Sequence, residues 1–264
     1  MFMLTHTYFL QKVLGRTGLS NVEPDIYVYN IAPDLLAIHP LITPDKTHKL
    51  QRSLQIPPRY SKSVYVLFHL LVDDLSHHGY ICSDYQEEFN LNSQGYSYLK
   101  GRHLIKSILD VHKIIKKEIS YAEAVYQSHL IIEMIYDLVI LNHIASFKTI
   151  DLLVEAVNFT VKNKMSEFVE TIKWLYDLEE NEIDEVMRSA LFFITKKGMD
   201  SIMNIQGRIN LYKDKFGLKS NERLFDEGLE NLFQQAIDLI DDEELFFMET
   251  VKIIKNYSRL PFLT

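Results

Sequence analysis

The stretch that decides the fold is Val64–Gly79, VYVLFHLLVDDLSHHG. It holds an apolar run with no proline and ends in Gly79, where a C-cap falls, so it predicts a helix. The run Val64–Val72 is apolar on nearly every side except at His69, which marks a helix buried all round. Yet His69, Asp73 and His77 recur at steps of four. Four residues turn a helix by about 400° and raise it about 6 Å, so the three line one stripe. A buried carboxylate is costly unless it is paired or bound to a metal. The simplest partner for such a stripe is a divalent cation.

A second stretch repeats this pattern. Tyr121–Asn142, YAEAVYQSHLIIEMIYDLVILN, is again almost continuously apolar, and again interrupted at steps of four by His129, Glu133 and Asp137. One such helix is explained by a satisfied pair in the core. Two point to a shared metal cluster.

Composition sets the frame around these helices. The 264 residues are 47% hydrophobic, enough to bury a sizeable core, and only 9 Gly and 7 Pro leave little turn material, which favours long helices. We expect an all-α, multi-helical bundle in one domain, 1–264, with the metal-site helices within 1–143 and additional helices in 144–264. The net charge of −8 argues against a stable nucleic-acid complex. The single Cys82 allows no intramolecular disulfide and fits a reducing compartment. No signal-peptide pattern opens the chain, and no apolar run is read as a membrane span. A cytoplasmic protein without a transmembrane segment is the expectation.

Along the chain, Thr5 is read as the cap of a first helix that packs Phe9, Leu10, Val13 and Leu14 and ends at Gly15. His6, taken alone, reads as a surface or capping residue. Next comes a helix over about 28–38, or a turn at Ile31–Pro33 followed by a helix from Asp34, since a proline followed by an acid marks helix starts. TPDKTH reads as a loop, with His48 heading a short helix to Leu54, and Ile56-Pro57-Pro58 breaks the chain. His39 reads as a solvent-facing helix end. The Tyr-rich segment 80–98 reads equally as a lid or binding loop and as a surface loop with aromatic anchors, with a short helix around 85–89. Residues 101–119 form an amphipathic helix with His103 and His112 outside. The remainder reads as helices at about 148–163, 165–178, 181–196, 199–214 and a broken 222–256. Trp174, Phe192 and Phe193 are assigned to the core.

Several classes are unsupported. The chain lacks the Glu-x-x-His of di-iron bundles, the His-Glu-x-x-His of metalloproteases, a His-Asp dipeptide, a phosphate-binding glycine loop and Gly-x-Ser-x-Gly.

What is present resembles the zinc-dependent phospholipase C and single-strand nuclease superfamily. The matching pieces are Leu4-Thr5-His6, Ala32-Pro33-Asp34, His48, then His69-x3-Asp73-x3-His77 and His129-x3-Glu133, in the family's order over residues 1 to about 140. The resemblance implies an all-helical fold around two or three zinc ions. It assigns Asp34, His48, His69 and Asp73 to one ion and His77, His129 and Glu133 to a second. Asp73 would bridge to a third ion completed by His6. Secreted members also use the amine and carbonyl of an N-terminal Trp there, whereas this chain reads Met1-Phe2-Met3-Leu4-Thr5. The implied chemistry is hydrolysis of a phosphoric ester, with Asp34 and Asp73 as the catalytic carboxylates. With that chemistry, the acidic balance favours a small phosphoester or a phospholipid head group over long polyanions. Asp137, one turn past Glu133, reads from its position either as a partner that orients a ligand histidine or as a buried acid outside the cluster. The competing reading is a non-catalytic helical protein whose metal, or hydrogen-bonded cluster, serves only the fold.

Overall fold

The computed structural model describes residues 2–15, 23–83, 92–143, 147–220 and 222–257. Among them there is no strand. The described residues form fourteen α-helices: α1 Met3–Leu14, α2 Ile26–Leu36, α3 Pro44–His48, α4 Ser63–His77, α5 Tyr96–Gly101, α6 Ile105–Ile114, α7 Tyr121–His143, α8 Phe147–Phe159, α9 Met165–Tyr176, α10 Glu180–Phe193, α11 Lys196–Ile202, α12 Ile205–Phe216, α13 Arg223–Leu239 and α14 Glu243–Lys255. The all-α expectation therefore holds. The proposed helix around 85–89 lies outside the described residues.

α4 is the axis of the amino-terminal half. Every one of its residues except Tyr65 is buried, as an apolar run with polar interruptions on one stripe requires. It packs against α2 and α5. α7 packs against α5, α6 and α13, and touches α1, which lies on α2 and α8. One hydrophobic cluster runs from Leu4 of α1 to Ile254 of α14. By length and composition α7, at 23 residues, does reach a membrane span, contrary to the sequence reading, but 94% of its apolar window is buried inside the fold.

Several local expectations change. Thr5 does not cap α1: the N-cap is Phe2, which supplies no side-chain bond, and Thr5 is in the helix and buried. Gly15 does end α1, with φ 77 that a side chain would strain. α2 starts at Ile26 and runs through Pro33, so no turn precedes Asp34. An internal proline costs a helix roughly 3 kcal/mol, and here the burial of α2 offsets it. His48 ends α3 instead of starting a helix, because Thr43 and Pro44 form a cap: the Thr43 hydroxyl accepts the Lys46 N–H at 3.3 Å. His39 is not simply solvent-facing, since its Nε2 lies 3.6 Å from a Glu185 carboxylate oxygen. His112 is buried and sits 2.9 Å from Gln127 Oε1. Phe192, assigned to the core, is 84% exposed. The helix expected at 199–214 is two, α11 and α12, because Asn204 accepts the Gly207 N–H and restarts the chain.

Candidate metal centre

The helices bring the predicted residues into two neighbouring groups. The first draws on α1, α2, α3 and α4. Asp73 is at its middle: Oδ1 lies 3.2 Å from His6 Nε2, and Oδ2 lies 3.0 Å from His69 Nε2 and 3.4 Å from His48 Nε2. Asp34 Oδ1 stands 3.8 Å from both His48 Nε2 and His69 Nε2. The rings of His6 and His69 stack with centroids 3.6 Å apart. Donor atoms of His6, His69 and Asp73 lie within 4.8 Å of one another, as do those of Asp34, His48 and His69, so the two sets overlap at His69.

The second group is formed by α4 and α7. His77 Nε2 lies 2.8 Å from Glu133 Oε1, which also accepts the Ser76 hydroxyl at 3.3 Å. Donor atoms of His77, His129 and Glu133 lie within 4.8 Å of one another. The ring of His129 stacks on Tyr98 at 4.5 Å and meets His77 edge-on at 5.4 Å. Of the two adjacent histidines it is thus His77, on the stripe, that faces the cluster.

The electrostatics suit a cation. Burial alone would push the Asp73 carboxyl up, but the groups around it, the His69 and His6 imidazoles among them, hold it well below the usual range. Glu133 is also held low against its burial, with His77 among the positive groups responsible. Burial, opposed by Glu133, brings His129 down to about 3. His129 is fully buried, and the Tyr126 backbone can satisfy only one of its two ring nitrogens. A buried ring nitrogen left unsatisfied costs free energy. A metal ion would satisfy it, and imidazole and carboxylate donors in this number are the set Zn²⁺ takes. The buried His/Asp/Glu groups can therefore hold metal.

Asp34 differs from Asp73. Burial, with the Asp73 carboxylate adding to it, pushes Asp34 up to about 6. An acid raised above its ordinary 3.8 holds its proton longer folded than unfolded. Its contribution to stability is therefore lost as pH rises from about 4 through 6. Asp34→Asn should melt higher than the parent protein at pH 7 in the presence of chelator, and the difference should vanish near pH 4. Thermal melts at both pH values check this. Equal melting temperatures at pH 7 would show that Asp34 carries no such strain.

One cavity of about 270 Å³ meets both groups: Asp34, His48, Asp73, His77 and Glu133 lie in its wall. His6, His69 and His129, all fully buried, stand behind them. The rest of the wall is mainly apolar, with Phe2, Leu130, Phe193, Ile194 and Ile202 among its residues. Phe193, read from sequence as core, is thus a cavity residue. So are Met199 and Leu211, helical residues with no individual signal.

A further His/Cys/Asp group, Asp74, His78 and Cys82, comes equally close together. It is already satisfied. Arg52 donates to both oxygens of Asp74, Nε to Oδ2 at 3.0 Å and Nη2 to Oδ1 at 2.7 Å, and the Cys82 N–H donates to Oδ2 at 3.1 Å. Burial pushes the Cys82 thiol up to about 12, away from the thiolate a metal needs.

Asp137 makes no direct hydrogen bond to a histidine among the described residues. It binds the Thr5 N–H, the Thr5 hydroxyl and Arg208. No family model, curated protein or solved structure matches the chain.

Proposed function

We propose that the chain is a metal-dependent phosphoric ester hydrolase of the zinc-dependent phospholipase C and nuclease type, acting on a small phosphodiester with an apolar substituent. The observation that carries this reading is that ligand candidates from both groups open onto one cavity. A purely structural metal would have a closed shell. Divalent ions, zinc by the donor set, would polarise a phosphoryl oxygen and lower the pKa of bound water.

The chain's own residues supply the rest. Asp73, whose oxygens face His6 on one side and His48 and His69 on the other, is the common ligand of the first group. Asp34 lines the cavity, and its Oδ2 makes no hydrogen bond among the described residues. From there it would take the proton of the attacking water. The apolar wall fits an organic substituent, and exposed Lys215 adds a positive charge beside it. The net charge of −8 repels long polyanions, so a short or zwitterionic phosphoester is favoured over DNA or RNA.

The test uses protein of known metal content. A chromogenic phosphodiester, a choline phospholipid and single-stranded DNA are assayed in parallel, with His69→Ala as control. Turnover that chelator abolishes and Zn²⁺ restores is expected on one of the first two. No turnover on any of the three by metal-loaded protein would leave the non-catalytic reading standing. Equal turnover by His69→Ala would assign the activity to a contaminant.

A further inference from the structure

Asp137 lies one turn beyond Glu133 on α7, yet it serves α1. Its Oδ1 accepts the backbone N–H of Thr5 at 2.9 Å and the Thr5 hydroxyl as well. Thr5 is the third residue of α1, so its N–H is one of the donors a helix start leaves over. Phe2 at the N-cap has no side chain to accept it. Asp137 is thus a cap delivered from another helix, with its charge at the positive end of the α1 dipole. Its Oδ2 accepts Nη2–H of Arg208 at 3.1 Å, and the two side chains are only 2% and 3% exposed. Arg208 belongs to α12, contacts Met203 Sδ through the same nitrogen at 2.8 Å, and lines the cavity. Asn30 of α2 donates to the His6 carbonyl at 2.8 Å.

The residue after Thr5 is His6. Its ring stacks on His69, and stacking sets the spacing of two rings but tolerates sliding. The directional bonds that fix where α1 starts are those of Thr5 to Asp137, with the Asn30 bond to the His6 carbonyl beside them. We infer that Arg208, Asp137 and Thr5 are positioning residues, a buried strut from α12 through α7 to α1 that holds His6 in register with Asp73. The inference rests on the metal centre proposed above and gives the carboxy-terminal half a part in building it.

Thr5→Val keeps the shape and the N–H bond but removes the hydroxyl, and Thr5→Ser restores it. In metal-free protein, the ring-nitrogen resonances of His6 should shift in Thr5→Val, those of His77 and His129 should stay, and Thr5→Ser should return His6 to its parent position. In a Co²⁺ titration followed by visible absorption, Thr5→Val should weaken the ion that uses His6 about tenfold. The ion at His77, His129 and Glu133 should be untouched. Unmoved His6 resonances with parent Co²⁺ affinity would overturn the strut. So would equal shifts at all three histidines accompanied by a lower melting temperature, which mark a general structural role. If the parent protein binds no Co²⁺, the proposed function falls, and the metal-free resonances alone decide the strut.

Discussion

Asp73→Asn is expected to strip metal from the first group. The side chain keeps its shape and loses the charge that faces three imidazoles, with contacts of 3.2 Å to His6, 3.0 Å to His69 and 3.4 Å to His48. Losing an outer partner of a ligand already costs roughly 10–100-fold in metal affinity. Losing the common ligand should cost about 100-fold or more. A hundredfold weaker ion takes with it about 2.7 kcal/mol of linked stability. In a chain of this length that is a fall of roughly 5–10 °C in the melting temperature of the metal-loaded protein. The metal-free variant should also melt lower than the metal-free parent at neutral pH, because the fold favours the Asp73 charge, but by less than the metal-loaded pair differ. Metal analysis after dialysis, with melts in Zn²⁺ and in chelator, measures all of this. Unchanged metal content would show that Asp73 is not the common ligand.

The two helices that carry the cluster were legible because their polar residues break apolar runs at a fixed step. A run that is buried all round leaves a His/Asp/His stripe no solvent to face, so His69, Asp73, His77, His129 and Glu133 could be placed from spacing alone. His6, Asp34 and His48 carried no such signal, and only their order in the resemblance singled them out. Each sits on an element whose start was misread, and the reasons are local. Thr43-Pro44-Asp45 is a helix start inside a polar stretch that looks like a loop. Pro33 looks like a helix start and lies in a helix interior.

What the sequence hid is long-range. Asp137 continues the step of four on α7, which makes it look like one more member of the cluster. Its partners are Thr5, 132 residues away, and Arg208, 71 residues away, and nothing local announces either bond. His112 sits beside exposed lysines on a helix read as amphipathic, but Gln127 on α7 draws it inward. The adjacent phenylalanines 192 and 193 end α10, so one faces solvent and the other the cavity. Composition cannot separate them, because a helix turns about 100° per residue.

Asp74→Ala is expected to do the reverse of Asp73→Asn: to cost the fold and spare the metal. The two carboxylates are neighbours in sequence on α4, so a helical step of about 100° sends them to different sides. Asp74 meets the fork of Arg52 and the N–H of Cys82, with side chains 3% and 5% exposed for the charged pair. Removing it leaves a buried guanidinium without its counter-charge, a loss of about 3–5 kcal/mol when one partner of a buried pair is deleted. The melting temperature should fall by roughly 10 °C or more. The double variant Asp74→Leu with Arg52→Met should recover most of that loss, because replacing both charges removes the uncompensated one. Zn²⁺ content per folded molecule should match the parent protein in both variants, since Arg52 already occupies both oxygens of Asp74. Denaturant melts beside metal analysis give the answer. A variant that kept its stability and lost its metal would move the centre from Asp73 to the group of Asp74, His78 and Cys82.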